Sequence, residues 1–213
     1  VKLESQGHRV IGVDLRDADV CGDLSKPADR QRIVDEVTAL CGGVLDGLVP
    51  CAGVSTPVPN ELIVRVNFYG TLAIVNGLRP ALEKGTNSAV VMISSNSTTM
   101  TPGLSVDDAM AYLQQDEESV VARFSSPAAF VAYPAGKLAI AFWVRMNAAE
   151  WMKSGIRVNA VGGSTLSLAQ LAAIAPKLHA LGLHVQTFMP LGQLPTVEQA
   201  LLATGLPIVL DHF

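Results

Sequence analysis

The chain is short of charge. Only 16% of its 213 residues are Asp, Glu, Lys or Arg while 49% are apolar, a balance that excludes disorder and favours buried helix and sheet. The formal net charge is -4, so the basic surface that nucleic-acid binding needs is missing. Cysteine is scarce. The three, Cys21, Cys41 and Cys51, show no metal-ligand spacing, and their odd number suits reduced thiols in a cytoplasmic setting. No apolar run is long enough to span a bilayer, and no signal-peptide pattern is seen. This length supports one domain with a sizeable core, or one domain and a fragment of another.

What is present centres on Tyr133-Pro134-Ala135-Gly136-Lys137. On a helix, residues four apart project from one face, one turn removed, so an ammonium lies close to a phenol. At ~4 Å and an effective dielectric near 20, that charge favours the phenolate by roughly 4 kcal/mol. A phenol of pKa ~10 then falls by up to about 3 pKa units, towards neutrality. So tuned, it can act as general acid or base on an alcohol or carbonyl oxygen. The spacing equally describes an ordinary amphipathic helix with a packed Tyr and a solvated Lys, so the reading depends on its company.

That company is Ile93-Ser94-Ser95, Asn67 and Cys51-Ala52-Gly53. Together these residues resemble the short-chain dehydrogenase/reductase family. Its pattern has a Ser ending a strand, a Tyr-x-x-x-Lys helix, an Asn in a central helix and an Asn-Ala-Gly-like turn after the fourth strand. Matches run from about Gly7 to Val161. The run Gly7 to Asp14, the turn Asp46 to Gly53 and the long gap from Ser95 to Tyr133 are similar to the family's hydroxysteroid- and carbonyl-reducing members.

The resemblance implies an α/β fold: a Rossmann-like doubly wound parallel sheet, here lacking its first strand, with an added βα tail. It implies an oxidoreductase using NAD, less readily NADP, on a secondary alcohol or ketone, with a hydroxysteroid or carbonyl substrate. Tyr133 would be the general acid/base, and Lys137 would lower the Tyr pKa and bond the nicotinamide ribose. Ser95 would position the substrate oxygen, and Asn67 would extend a proton relay through a water. Asp14, Asp23, Leu24, Cys51, Ala52 and Gly53 would contact the cofactor alongside Tyr133 and Lys137. A homodimer or homotetramer is implied, with Phe142, Trp143 and Met146 serving there or in ordinary core packing.

In chain order, Val1 to Gly7 reads as the end of a helix and Arg9 to Leu15 as a buried parallel strand. An acidic ribose ligand sits about 20 residues beyond the start of a Gly-rich loop. Counting back from Asp14 leaves the chain, so that loop is expected to be absent. Asp14 is either the ribose ligand or a free loop carboxylate. Its charge would repel a 2′-phosphate, while Arg16 would accept one. Asp23-Leu24 is either an adenine contact or a helix-opening turn with Ser25 and Pro27. A helix follows from Asp29 to Cys41, stopping at Gly42-Gly43, then a strand from Leu45 to Val49. Glu61 to Leu82 reads as one helix, where Asn67 is alternatively a buried amide satisfied by a neighbouring carbonyl. Ser88 to Ser95 is a strand. The 38 residues from Ser95 to Tyr133 form an insert with a helical piece, Val106 to Phe124, expected as substrate cover or subunit contact. Ala129 to Lys153 reads as one helix and Arg157 to Val161 as a strand.

After Val161 the family's Pro-Gly turn gives way to Gly162-Gly163-Ser164-Thr165, and the resemblance breaks. The expected domains are therefore residues 1–161 and 162–213. The tail reads α-β-α-β, with helices over Leu168–Leu181 and Val197–Thr204 and parallel strands over Leu183–Met189 and Leu206–Asp211. It resembles part of the amidohydrolase-type lactonases that open dicarboxylic pyrones, His212 matching their pocket-lining Asp-His turn. No His-x-His pair accompanies it, so no metal site is expected. His179, His184 and His212 also read as surface or strand-end residues. The strand around Val209 is a candidate to fill the place between the strands of Val10 and Val49. Two other functions stand beside the oxidoreductase: a non-catalytic chimeric fragment, and a lactone hydrolase carried by the tail.

Overall fold

The computed structural model describes residues 2–126 and 129–162, and of the remainder chiefly two strands, with a few residues around them. The chain divides into two compact units, Val1–Val161 and Gly162–Phe213. The fold is α/β and Rossmann-like, and among the described residues every strand pairing is parallel.

A short helix α1 (Lys2–Ser5) leads to β1 (Val13–Asp14), which pairs with β2 (Val20–Cys21). The strand expected over Arg9 to Leu15 thus shrinks to two residues. Among the described residues β2 is its sole strand partner, and Leu15 is 65% exposed. Helix α2 (Pro27–Leu40) opens with a proline in its first turn, where no amide donor is required. It buries Ile33, Val34 and Val37 and stops at Gly42 and Gly43, both at positive φ, a backbone that glycine adopts without strain. Strand β3 (Gly47–Leu48) follows.

The helix expected from Glu61 to Leu82 is broken into α3 (Asn60–Val64), a π-helical turn (Arg65–Gly70), α4 (Thr71–Gly77) and α5 (Arg79–Leu82). Pro80 in the first turn of α5 explains the last break, since it donates no backbone hydrogen bond. The π turn has a different cause. The Arg30 guanidinium takes the Arg65 carbonyl at 3.1 Å, supplying from outside a partner that the helix ladder then need not provide. Gly70 lets the widened turn lie against Leu24, where a Cβ would come within 2.9 Å of the Leu24 carbonyl oxygen.

Strand β4 (Ala89–Ile93) buries Val90 and Met92 and is followed by the short helix α6 (Ser97–Met100). The insert then forms two helices, α7 (Val106–Gln114) and α8 (Glu117–Arg123), where one helical piece was expected. Ser105 and Asp108 form a reciprocal capping box at the start of α7, and the break comes where the Asp116 carboxylate accepts from the Ser119 N–H at 3.0 Å to open α8. Ala109, Ala111, Tyr112, Val120 and Phe124 are all buried, and all but Ala111 join the main core cluster. The insert is accordingly built into the core through this face.

Helix α9 (Ala132–Lys153), starting three residues later than expected, packs Ala135, Ala139 and Ile140 against that cluster. Trp143 is buried there, edge-on to Trp151 at 5.5 Å, whereas Met146 is 65% exposed. Strand β5 (Arg157–Val161) pairs with β4 along its whole length, Ala89 opposite Arg157 and Ile93 opposite Val161, giving the order β3-β4-β5.

In the second unit β6 (Val185–Phe188) pairs with β7 (Ile208–Asp211), Gln186 opposite Val209. Among the described residues the strand around Val209 finds its strand partner within its own unit. His179, His184, His212 and most of the two expected tail helices lie outside the described residues.

Candidate functional site

The end of β4 and the start of α9 are bonded to each other in both directions. Lys137, 6% exposed, donates from Nζ to the Ile93 carbonyl at 2.8 Å. The Ser94 hydroxyl donates back to the Lys137 carbonyl at 2.9 Å. One helical turn earlier stands half-buried Tyr133, its ring centroid 5.7 Å from Lys137 Nζ. Burial disfavours the ammonium and pushes Lys137 down to about 8, the nearby Cys51 pulling the other way. Cys51 is exposed as a residue, but partial burial of its thiol raises its pKa, the Lys137 charge opposing. A thiol so raised is a poor nucleophile.

Asn67, 2% exposed within the π turn, grips that same loop. Its Oδ1 accepts from the Val54 N–H and its Nδ2 donates to the Val54 carbonyl, each at 2.8 Å. Gly53 lies so close that a Cβ would meet Asn67 Oδ1 at 3.3 Å. The side-chain amide thus bonds the backbone of the turn through Val54. Single-turn π segments are frequent at functional sites.

Half-buried Ser95 accepts from the Ser97 N–H at 3.2 Å, and its hydroxyl points to Asn96 Oδ1 at 3.5 Å. Among the described residues no hydrogen bond joins the Ser95 and Tyr133 hydroxyls. Asp14 is exposed at the end of β1, its Oδ1 accepting from the Leu15 N–H at 2.6 Å. With Gly12, Arg16, Asp17 and Asp19 it lines an open cavity of about 470 Å³. Asp23 is engaged locally, accepting from the Ser25 hydroxyl at 2.7 Å and the Ser25 N–H at 2.9 Å. Those bonds hold its carboxyl below the usual range, and they form the helix-opening turn that the sequence left as an alternative. Leu24 is half-buried, its carbonyl accepting from Arg30 Nε at 2.6 Å.

Sequence reasoning missed an ionic knot behind these residues. Arg30, 6% exposed, makes two 2.7 Å bonds to the Glu117 carboxylate besides those to the Leu24 and Arg65 carbonyls. Arg65 joins Glu117 at 3.2 Å and Glu118 at 2.7 Å. The knot ties the Leu24 loop, the Asn67 turn and the insert together. Arg30 and Glu117 stand 87 residues apart, and nothing local in either marks the pairing.

Among the described residues no cluster of three or more His, Cys, Asp or Glu side chains could hold a metal ion, and no helix is long and apolar enough to cross a membrane.

The sequence family described as short chain dehydrogenase matches residues 12–106. The 3-alpha-hydroxysteroid dehydrogenase/carbonyl reductase of Comamonas testosteroni is 33% identical over 196 residues, spanning 88% of this chain and 74% of that one. A coniferyl-alcohol dehydrogenase of a Pseudomonas species is 28% identical over 75% of this chain and 64% of its own length. Among solved structures, the 3-alpha-hydroxysteroid dehydrogenase from Pseudomonas sp. B-0831 complexed with NADH superposes with a TM-score of 0.70, at 29% identity, over 99% of this chain and 87% of that one. Pseudomonas aeruginosa RhlG with NADP shares the fold at a TM-score of 0.52 and 17% identity, over 91% of this chain and 73% of that one.

Proposed function

Because the chain belongs to the short-chain dehydrogenase/reductase family, an oxidoreductase family, we propose that it interconverts a secondary alcohol and a ketone with a nicotinamide dinucleotide. The observation that carries this reading is the buried Lys137 amine, bonded to Ile93 at the end of β4 and facing the Tyr133 ring at 5.7 Å. When bound, the dinucleotide supplies or accepts the hydride. Everything else falls to the chain's own groups. Tyr133 gives or takes the proton at the substrate oxygen, and the Lys137 ammonium stabilises negative charge as it develops there. Lys137 also donates to ribose hydroxyls. Ser95 positions the substrate oxygen from the strand end. Asn67 holds the Cys51-Ala52-Gly53 turn through Val54, so its contribution runs through the cofactor turn.

Asp14 accepts from the adenosine ribose hydroxyls, and its charge disfavours a 2′-phosphate, so NAD is preferred to NADP. Leu24 borders the adenine, and Asp23 shapes that loop. The substrate is a bulky, apolar ketone or alcohol of the hydroxysteroid or carbonyl type. Exposed Met100 and Phe130, close in sequence to Ser95 and Tyr133, support this, as do the names of the relatives. The exposed Met146 face of α9 is where a second copy would dock.

Tyr133→Phe tests the reading. Ketone reduction followed by NADH oxidation falls by about 10²-fold or more, while NADH binding by fluorescence titration is retained. Equal rates would remove Tyr133 from its role. If the unmutated chain fails to bind NADH, the reading as a non-catalytic fragment takes its place.

A further inference from the structure

We infer that Tyr112, on the insert, is a positioning residue for the Tyr133–Lys137 pair, fixing the first turn of α9 through its hydroxyl and its ring. The inference rests on the reading of that pair as the proton-transfer groups.

Tyr112 is 2% exposed. Its hydroxyl donates to the Ala132 carbonyl at 2.8 Å. The hydroxyl end of its ring lies beside Gly136, where an added Cβ would meet Cε1 and Cζ at 3.4 Å. These contacts fall on the residue immediately before Tyr133 and the residue immediately before Lys137. No side chain caps the N-terminus of α9, whose cap position is held by Val131. The Tyr112 bond goes to a carbonyl and so caps no N–H, but at a helix start with no side-chain cap it ties the first-turn backbone to the insert.

Tyr112 is itself held firmly. Phe124 stacks on it at 5.4 Å and 27°, Phe68 meets it edge-on at 5.1 Å, and Tyr69 stacks at 6.4 Å. The capping box at Ser105 pins the start of α7, and Arg123 bonds Asp108 at 2.8 Å. Burial pushes the Tyr112 phenol far up, so it stays a donor throughout the working range. Phe68 and Tyr69 adjoin Asn67 in the π turn, so one aromatic cluster touches both helices that carry the proposed site.

The test compares Tyr112→Phe with Tyr69→Phe. Tyr69 belongs to the same cluster, but its hydroxyl bonds the Gln115 carbonyl at 2.9 Å instead of α9. Three quantities are read: the melting temperature, the kcat and KM for ketone reduction with NADH, and the Lys137 titration by NMR of 13C-methylated lysines. The last needs no turnover. Both variants lower the melting temperature. Tyr112→Phe alone lowers kcat, by roughly tenfold, with KM for NADH unchanged, and alone moves the Lys137 midpoint upward from about 8 as the amine gains water. Gly136→Val, whose γ carbons reach beyond the 3.4 Å contact that a Cβ alone would make with the ring, crowds the Tyr112 ring, reproduces both shifts and decides the matter if Tyr112→Phe does not fold. Equal kcat and equal Lys137 midpoints in Tyr112→Phe and Tyr69→Phe would overturn the inference. Should the unmutated chain reduce no ketone, the proposed function falls, and the Lys137 midpoints alone decide the role of Tyr112.

Discussion

Lys137 is a cation that folding strips of most of its water. Its pKa falls from the ordinary 10.5 to about 8 because burial disfavours the charged form. Below pH 8 the folded and unfolded states both carry the proton, and the full cost of burying the charge is present. Between about 8 and 10.5 the unfolded chain binds a proton that the folded chain does not, so stability rises with pH across that window. At about 1.4 kcal/mol per pKa unit the rise approaches ~3 kcal/mol. Urea unfolding of the Cys51→Ser chain, which removes the neighbouring thiol from the titration, should show this rise between pH 7.5 and 10, and Lys137→Met in the same background should abolish it. A flat difference between the two would mean that the amine is solvated. At this scale much was legible. The Tyr133–Lys137 spacing and the strand-end serines are short-range patterns, and the Asp23–Ser25 turn was one of two readings. The use of Asn67 could not be chosen beforehand, because its partner Val54 is a backbone group that any residue would supply.

Helix and strand positions were read from hydrophobic period and punctuation, and the departures have particular causes. The break between α7 and α8 is written in the sequence, since Asp116 and Ser119 form an N-cap pair, but it was hidden inside a continuous polar-apolar rhythm. The π turn is not written locally at all. It depends on Arg30, which reaches across from α2 to the Arg65 carbonyl, and Arg30 depends on Glu117. Glu117→Ala would leave a guanidinium 7% exposed as a side chain without its carboxylate, and removing one partner of such a pair costs roughly 3–5 kcal/mol. The variant's urea midpoint should fall accordingly. Arg30→Met combined with Glu117→Leu should recover only part of that loss. An apolar pair can replace a buried ion pair, but the Leu24 and Arg65 carbonyls would still lack their donor. Full recovery would show that the π turn closes on its own without Arg30.

For the molecule as a whole, the alternation of strands and helices announced a parallel α/β sheet, and the family pattern ordered the elements. Which edges would stand open was not legible, because strand pairing is decided by residues far apart in sequence. Among the described residues of the first unit, β1-β2 and β3-β4-β5 are separate sheets. Parallel strands are ordinarily buried on both faces, yet Val44 is 47% exposed, Val49 52% and Leu15 65%, all beside edge strands. Unpaired edges flanked by exposed apolar residues are templates for association with another chain. The 213-residue chain should therefore bind a hydrophobic dye while folded and self-associate as its concentration rises, read by light scattering. Introducing charge at the edges with Leu15→Lys and Val49→Lys should lower both signals. It should change unfolding stability little, by about 0.5 kcal/mol per site, as is usual for surface positions. A chain that stays monomeric at high concentration and binds no dye would show that these edges are protected, and that the two sheets do not expose what their strand pairing leaves open.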